Sequence, residues 1–219
     1  PKPHDSLLAP SSLVFFESQT KNLNDFSQWW KLQKEVNWKR PYGKESTIDT
    51  ILDHPVIHVS WDDAVAYCNW KGRRLPTEAE YEYAMRSGNS NTIYTWGNEP
   101  VGTGTQKANI WQGNFPSNNI SSDEFYYTSP VKSFEKNDFG LYDISGNVWE
   151  WCSDLYHSDY YSTISNMLAN NPKGPIKSYD PNDPFSSKRV MRGGSFLCND
   201  SYCSGFRNSM RMKSTPDSS

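Results

Sequence analysis

Arg192-Gly193-Gly194-Ser195-Phe196-Leu197-Cys198-Asn199-Asp200-Ser201-Tyr202-Cys203 is the stretch on which the reading of this chain turns. Two thiols lie five positions apart, behind a Gly-Gly-Ser that lets backbone segments approach closely. A local disulfide or two unrelated cysteines would satisfy the spacing. A zinc site needs four ligands. The other candidates, Cys68, Cys152, His4, His54, His58 and His157, show no ligand-like spacing. Two thiolates suit a soft ion of low coordination number, of which Cu(I) is the biological example. A redox-active dithiol fits equally. Spacing alone leaves the structural and functional readings level.

Upstream, Asp143-Ile144-Ser145-Gly146-Asn147-Val148-Trp149-Glu150-Trp151 sets two carboxylates around a Gly-Asn turn. Side-chain and main-chain oxygens in such a loop can wrap a hard cation such as Ca²⁺. Taken alone, an Asx-turn with exposed acids explains it as well. Asn109-Ile110-Trp111, followed by Asp123-Glu124-Phe125, is a weaker version of the same arrangement. His54-Pro55-Val56-Ile57-His58 is read as one buried and one exposed histidine rather than a ligand pair. Glu78, Glu80 and Glu82 sit at a helix start, where capping and the macrodipole account for them.

The 219 residues carry a net charge of -3, with nine Trp, thirteen Tyr and ten Phe. Leu, Ile, Val and Phe together make up fewer than one residue in five, a level that raises disorder as an option. Low net charge and abundant rings argue against it. The expectation is a folded domain spanning 1–219 whose core is built from aromatic rings, each burying about 150–250 Å². The mild acidity and the lack of a basic run exclude a nucleic-acid binder. No apolar stretch approaches the roughly 18 residues of a membrane span. Four cysteines are too few for a disulfide scaffold of this size. There is no phosphate-binding glycine loop, no GxSxG nucleophile elbow and no HExxH.

Two helices are signalled. Ser60 precedes WDDAVAYCNW with Asp63 placed for a capping box, and Gly72 ends the run with Ala64, Val65 and Cys68 on one face. Thr77 precedes EAEYEYAMR with Glu80 closing a second box and Gly88 as C-cap. His54–Val59, Ser129–Phe134 and Arg189–Met191 are candidate strands. The rest is dense in Gly, Asn, Pro and Asp and reads as loop.

Together these segments resemble the formylglycine-generating enzyme family, also called sulfatase-modifying factors. The matching stretches are His54 to Trp61, Arg74-Leu-Pro-Thr-Glu-Ala-Glu80, Trp96-Gly-Asn98 and Ala108-Asn-Ile-Trp-Gln-Gly113. Gly140-Leu-Tyr142, Gly146 to Trp151, Arg192 to Cys203 and Thr215-Pro-Asp-Ser218 complete the match. The Cys-x4-Cys after Gly-Gly-Ser is the discriminating piece. The resemblance implies a mixed α/β (α+β), irregular fold of low regular secondary structure, the sulfatase-modifying-factor fold, related to C-type lectins. It implies O₂-dependent oxidation of a cysteine in a Cys-x-Pro-x-Arg segment of an unfolded sulfatase to Cα-formylglycine. Cys198 and Cys203 would ligate Cu(I), with Ser195, Trp149 and Arg207 at the active site. One Ca²⁺ would take Asn109, Ile110, Asp123 and Phe125, and a second Asp143, Ile144, Gly146, Val148 and Glu150. A monomer is expected. Calcium tilts the compartment toward an extracytoplasmic or secretory one, the periplasm or ER lumen.

The chain also departs from the family. Asn199 stands where many members carry His. Asn208 replaces a cysteine that animal members pair with the position of Cys68, so Cys68 is expected to be a buried free thiol. Ser204 and Gly205 replace bulkier or basic residues. The family's opening segment and closing Gly-Phe-Arg-Cys are missing, so the chain reads as a trimmed piece. The competing function is a non-catalytic binding or structural module of the same superfamily. An iron enzyme with a His-rich site ranks lower, because the four histidines do not cluster in sequence.

Overall fold

Side-chain caps fix the two longest helices of the computed structural model, which describes residues 11–218 apart from 21 and 167. His4, one of the candidate ligands, lies outside the described residues. Helix α1, Trp61–Trp70, starts at Ser60, whose Oγ accepts the Asp63 N–H while Asp63 accepts the Ser60 N–H. Its half-buried face is Trp61, Ala64, Val65 and Cys68, as the periodicity predicts. Helix α2, Glu78–Arg86, repeats the capping box with Thr77 and Glu80. Its bounds are those expected, but the cap falls on Ser87 rather than Gly88. Ser87 takes the left-handed conformation and Gly88 follows it.

Only one candidate strand forms. Strand β5, Glu150–Leu155, pairs with β6, Arg189–Arg192, and β6 pairs with β7, Met212–Ser214, all antiparallel. A two-stranded ribbon joins β1, Ser11–Phe15, to β2, Trp30–Lys34, with Leu13 opposite Leu32. Strands β3, Gly113–Asn114, and β4, Asn118–Asn119, make a short hairpin. His54–Val59 is not a strand. Pro55 offers no ladder donor, and His58 sits at φ +57°. Ser129–Phe134 breaks at Pro130 and at Lys132, φ +69°. A further short helix, α3, spans Tyr160–Ile164. The architecture is mixed α and β with much irregular chain, as expected. No helix among the described residues is long and apolar enough to cross a membrane.

Rings make the core, as the composition foretold. Phe15, Trp29, Trp111, Phe115 and Leu197 form one buried cluster, and Tyr94, Ala108, Ile110, Cys198 and Phe206 another. Edge-to-face pairs such as Trp29–Phe115 at 5.5 Å and Trp111–Phe115 at 5.2 Å hold the first together. Each such pair is worth about 0.5–1.5 kcal/mol beyond its area. A third cluster, Tyr81, Met85, Ile144, Cys152 and Val190, lies between α2 and the three-stranded sheet.

Beside that cluster is a buried ion network. Arg192, fully buried at the end of β6, reaches Glu78 at 3.0 Å and Glu82 at 2.8 Å. Arg211 donates to both Glu78 oxygens, to Oε1, which it shares with Arg192, at 2.6 Å and to Oε2 at 2.9 Å. The capping account of these acids therefore holds for Glu80 alone. Glu78 binds cations brought from distant segments, and Glu82 binds Arg192 as well as Arg86 of its own helix.

Candidate active site

The ion network anchors the exit of β6, and the chain then passes Gly193 and Gly194 at φ +92° and +83°. Backbone bonds stitch the next turn in place. The Gly193 carbonyl accepts from Gly146 N at 2.9 Å, Phe196 N donates to Asn147 O at 2.9 Å, and Cys198 O accepts from Trp111 N at 3.0 Å. Asn147, buried at φ +63°, is the knot. Its amide exchanges bonds with Ser129 and accepts from Asn109, so both acidic loops and the cysteine loop meet there.

Cys198 and Cys203 are joined as a disulfide, with Cα atoms 4.7 Å apart. Cys198 is buried and Cys203 half-buried. Ser195 Oγ lies 3.9 Å from Cys198 Sγ and accepts the Leu197 N–H at 3.3 Å. A groove of about 620 Å³ opens over the pair, walled by Trp149, Trp151, Tyr127, Trp30, Tyr202 and Val56 among others. Four of the five expected site residues, Cys198, Cys203, Ser195 and Trp149, line it. Arg207 does not. It pairs with Asp200 of the cysteine loop at 3.1 Å and lies over the Tyr94 ring.

Gly205 faces the indole. A Cβ there would stand 2.4 Å from Trp149 Cη2 and 2.8 Å from Gly194 Cα, so glycine clears the space the indole occupies. Sequence reasoning noted Gly205 as a departure and missed this contact. It also missed Tyr202, which stacks on Phe115 at 4.0 Å.

Once reduced, the two thiols of this short loop are a donor set for a two-coordinate soft ion. Among the described residues no three His, Cys, Asp or Glu side chains converge on a metal position. His54 and His58 are both half-buried and hydrogen-bonded, to Thr128 at 2.9 Å and to Ser12 at 2.7 Å, which corrects the buried-and-exposed expectation. Cys68 is free but only half-buried, and Cys152 is free and fully buried, its thiol pushed well up by desolvation.

The acidic loops differ in how their oxygens are used. In the first, Asp123 Oδ1 accepts from Phe125 N at 3.1 Å, and Oδ2 from Ile110 N at 3.3 Å and Gln112 Nε2 at 2.7 Å. The same Gln112 amide donates to Ile110 O. A donor thus bridges two oxygens of the proposed cation set. Burial raises the Asp123 carboxyl above its usual range. Asn109 is buried and donates to Tyr127 O at 2.8 Å.

In the second loop Asp143 Oδ2 accepts from Lys132 N at 2.6 Å, while Oδ1 is buried with no partner. Burial raises the Asp143 carboxyl. Glu150 keeps an exposed edge, yet desolvation of its carboxyl, opposed by Tyr81 and reinforced by the Asp143 charge, raises it to about 7. Gly146, at φ +79°, presses on the Asn109 carbonyl, which a Cβ would meet at 2.4 Å. A half-buried Asp143 with an orphaned oxygen, close enough to Glu150 for their charges to repel, suits a hard cation. Ile144 O is partly engaged, accepting from Tyr81 OH at 3.2 Å.

Residues 12–219 match the sulfatase-modifying factor enzyme 1-like domain. Over 193 residues, 87% of this chain and 48% of the relative, the chain is 48% identical to the formylglycine-generating enzyme of Bos taurus. It is 46% identical over 191 residues to that of Thermomonospora curvata, covering 60% of its length. The chain thus spans about half the length of these curated relatives. Among solved structures, PvdO from Pseudomonas aeruginosa superposes with a TM-score of 0.55 at 18% identity, over 95% of this chain and 87% of PvdO. That likeness concerns the fold alone.

Proposed function

We propose that this chain, which belongs to the sulfatase-modifying factor family, oxidises a cysteine of an unfolded sulfatase segment, Cys-x-Pro-x-Arg, to Cα-formylglycine. The observation that carries the reading is the pairing of Cys198 and Cys203 at the floor of an apolar groove, with Ser195 beside them and Trp149 as a wall.

In the working protein Cys198 and Cys203 are reduced and their thiolates would hold Cu(I). Bound copper supplies the one-electron chemistry with O₂ that no side chain can. The chain's own residues do the rest. The aromatic and aliphatic walls take up an extended peptide and shield its cysteine from water. Trp149, backed against Gly205, fixes the wall beside the sulfurs. The Ser195 hydroxyl holds its hydrogen-bonding capacity at Cys198 Sγ, where a thiolate's charge must be stabilised. Backbone bonds from Trp111 and Asn147 keep the cysteine turn fixed, so little ordering is left to the encounter.

Calcium at the two acidic loops would act on the scaffold, the second loop carrying the stronger indication through Asp143 and Glu150. Since the knot at Asn147 joins both loops to Phe196, cation binding there stiffens the cysteine turn. The protein acts as a monomer on this reading.

The rival, a non-catalytic module of the same fold, is separated by copper. Competition titration of the reduced protein against a Cu(I) chelator should show one tight site. That site should be lost in Cys198→Ser and in Cys203→Ser and kept in Cys68→Ser. Weak binding that survives both substitutions would favour the rival.

A further inference from the structure

The four residues between the paired cysteines are organised by one side chain. Asn199 Oδ1 accepts from the Tyr202 N–H at 2.9 Å and from Ser201 Oγ at 3.0 Å. Its carbonyl accepts the Cys203 N–H at 2.9 Å. Its Nδ2 donates to Gly113 O on β3 at 3.3 Å. Asn199 is 9% exposed, so its side of each bond is buried while its partners reach the surface. Tyr202, oriented by the bond at its nitrogen, stacks on Phe115 at 4.0 Å and meets Trp29 edge-on at 5.7 Å. Both tethers end on the same hairpin side, at Gly113 and Phe115.

We propose that Asn199 is the positioning residue of the Cys198–Cys203 pair, holding Cys203 against Cys198 when both are thiols as well as when they are joined. Its amide closes the loop upon itself with the oxygen and fastens it to β3 with the nitrogen. A free loop with four residues between its cysteines samples shapes with its sulfurs apart. A tethered one has already lost that freedom, so the second sulfur meets the first at high effective concentration. The same restriction favours one soft ion bridging both sulfurs, a consequence that rests on the proposed function.

The reaction that reads this out is thiol exchange. Two glutathione thiols reduce the Cys198–Cys203 bond, giving two protein thiols and one glutathione disulfide. Both electrons come from glutathione, and the protons of its thiols pass to the protein sulfurs. The closing half-reaction is intramolecular and depends on loop restraint, whereas attack by glutathione does not.

The test equilibrates the full chain in glutathione buffers of stepped ratio and counts free thiols by mass after alkylation. Without the Asn199 side chain the dithiol loop regains freedom that the disulfide loop cannot, so Asn199→Ala should shift the half-reduction ratio about tenfold toward the dithiol. Asn199→Asp keeps the acceptor for Tyr202 and Ser201 but sets a carboxylate oxygen against the Gly113 carbonyl in place of the donor, freeing the loop from β3, and should shift it about two- to threefold in the same direction. If Asn199→Ala does not fold, Asn199→Asp decides alone. A half-reduction ratio equal to that of the native chain in the folded variants overturns the proposal. The titration contains no metal, O₂ or peptide. A native protein that fails to convert peptide therefore counts against the proposed activity and leaves this result standing. In an active protein, Asn199→Ala should lower kcat with KM near the native value.

Discussion

The two ends of one short segment are built on opposite principles. At Arg192 the chain is gripped by charge. Glu78, Glu82 and Arg211 surround a guanidinium with no exposed surface. Six residues on, at Cys198, the groove is walled by rings and aliphatics. Among the described residues its lining holds the single cation Lys213 and no carboxylate. Buried ion pairs stabilise weakly but lose much when broken, which suits an anchor that must not move. A charge-poor groove spends little on desolvation when a peptide enters. The anchored end lends its rigidity to the end where chemistry is proposed.

Breaking the anchor should have the largest effect on stability. Glu78→Ala leaves Arg192 and Arg211 without their shared carboxylate and should cost about 3–5 kcal/mol, measured by denaturant unfolding. A loss below that of an ordinary surface substitution would remove the ion network from the account. Next comes the cation expected at the acidic loops. Calcium at a hundredfold above its dissociation constant should raise stability by about 2.7 kcal/mol, read as a rise in Tm that Asp143→Asn reduces. An unchanged Tm would leave Asp143 Oδ1 and the raised Glu150 carboxyl without a cation to explain them.

The groove end answers to shape. Gly205→Ala forces the Trp149 indole or Gly194 to move and should cost about 1–3 kcal/mol, with a raised KM and a shift in tryptophan emission. The smallest effect belongs to Glu80, two residues from Glu78 on the same helix. Arg74 holds its carboxyl at about 2, below the ordinary 4.5, but both side chains are largely exposed. Its contribution is complete above pH 4.5 and lost as pH falls through about 2. Glu80→Ala should cost about 1 kcal/mol, chiefly from the capping box. Equal losses at Glu78 and Glu80 would erase the contrast between anchor and surface.

What could be read in the sequence was local. Ser60 and Asp63, or Thr77 and Glu80, are three residues apart, and a cap needs nothing else. The aromatic core followed from composition, and a Cys198–Cys203 pairing was one of the readings their spacing left open. The rest depends on distant segments meeting. Glu78 finds Arg192 and Arg211 across separations of 114 and 133 residues. Asn147 ties loops that begin near Asn109 and Ser129. Gly205 faces a tryptophan more than fifty residues earlier. None of these leaves a periodic trace. The two absent strands show the same limit in reverse, since alternation at His54–Val59 was outweighed by a proline and a left-handed histidine.

The central claim is that the Cys198–Cys203 groove oxidises a peptide cysteine, and one measurement addresses it directly. The Cu(I)-loaded protein, in air with a reductant and a Cys-x-Pro-x-Arg peptide, should yield a product that has lost sulfur and gained an aldehyde. Mass spectrometry and hydrazide labelling would detect it, with none formed by Cys198→Ser. A peptide recovered unchanged from copper-loaded, folded protein, or equal conversion by Cys198→Ser, would contradict the account.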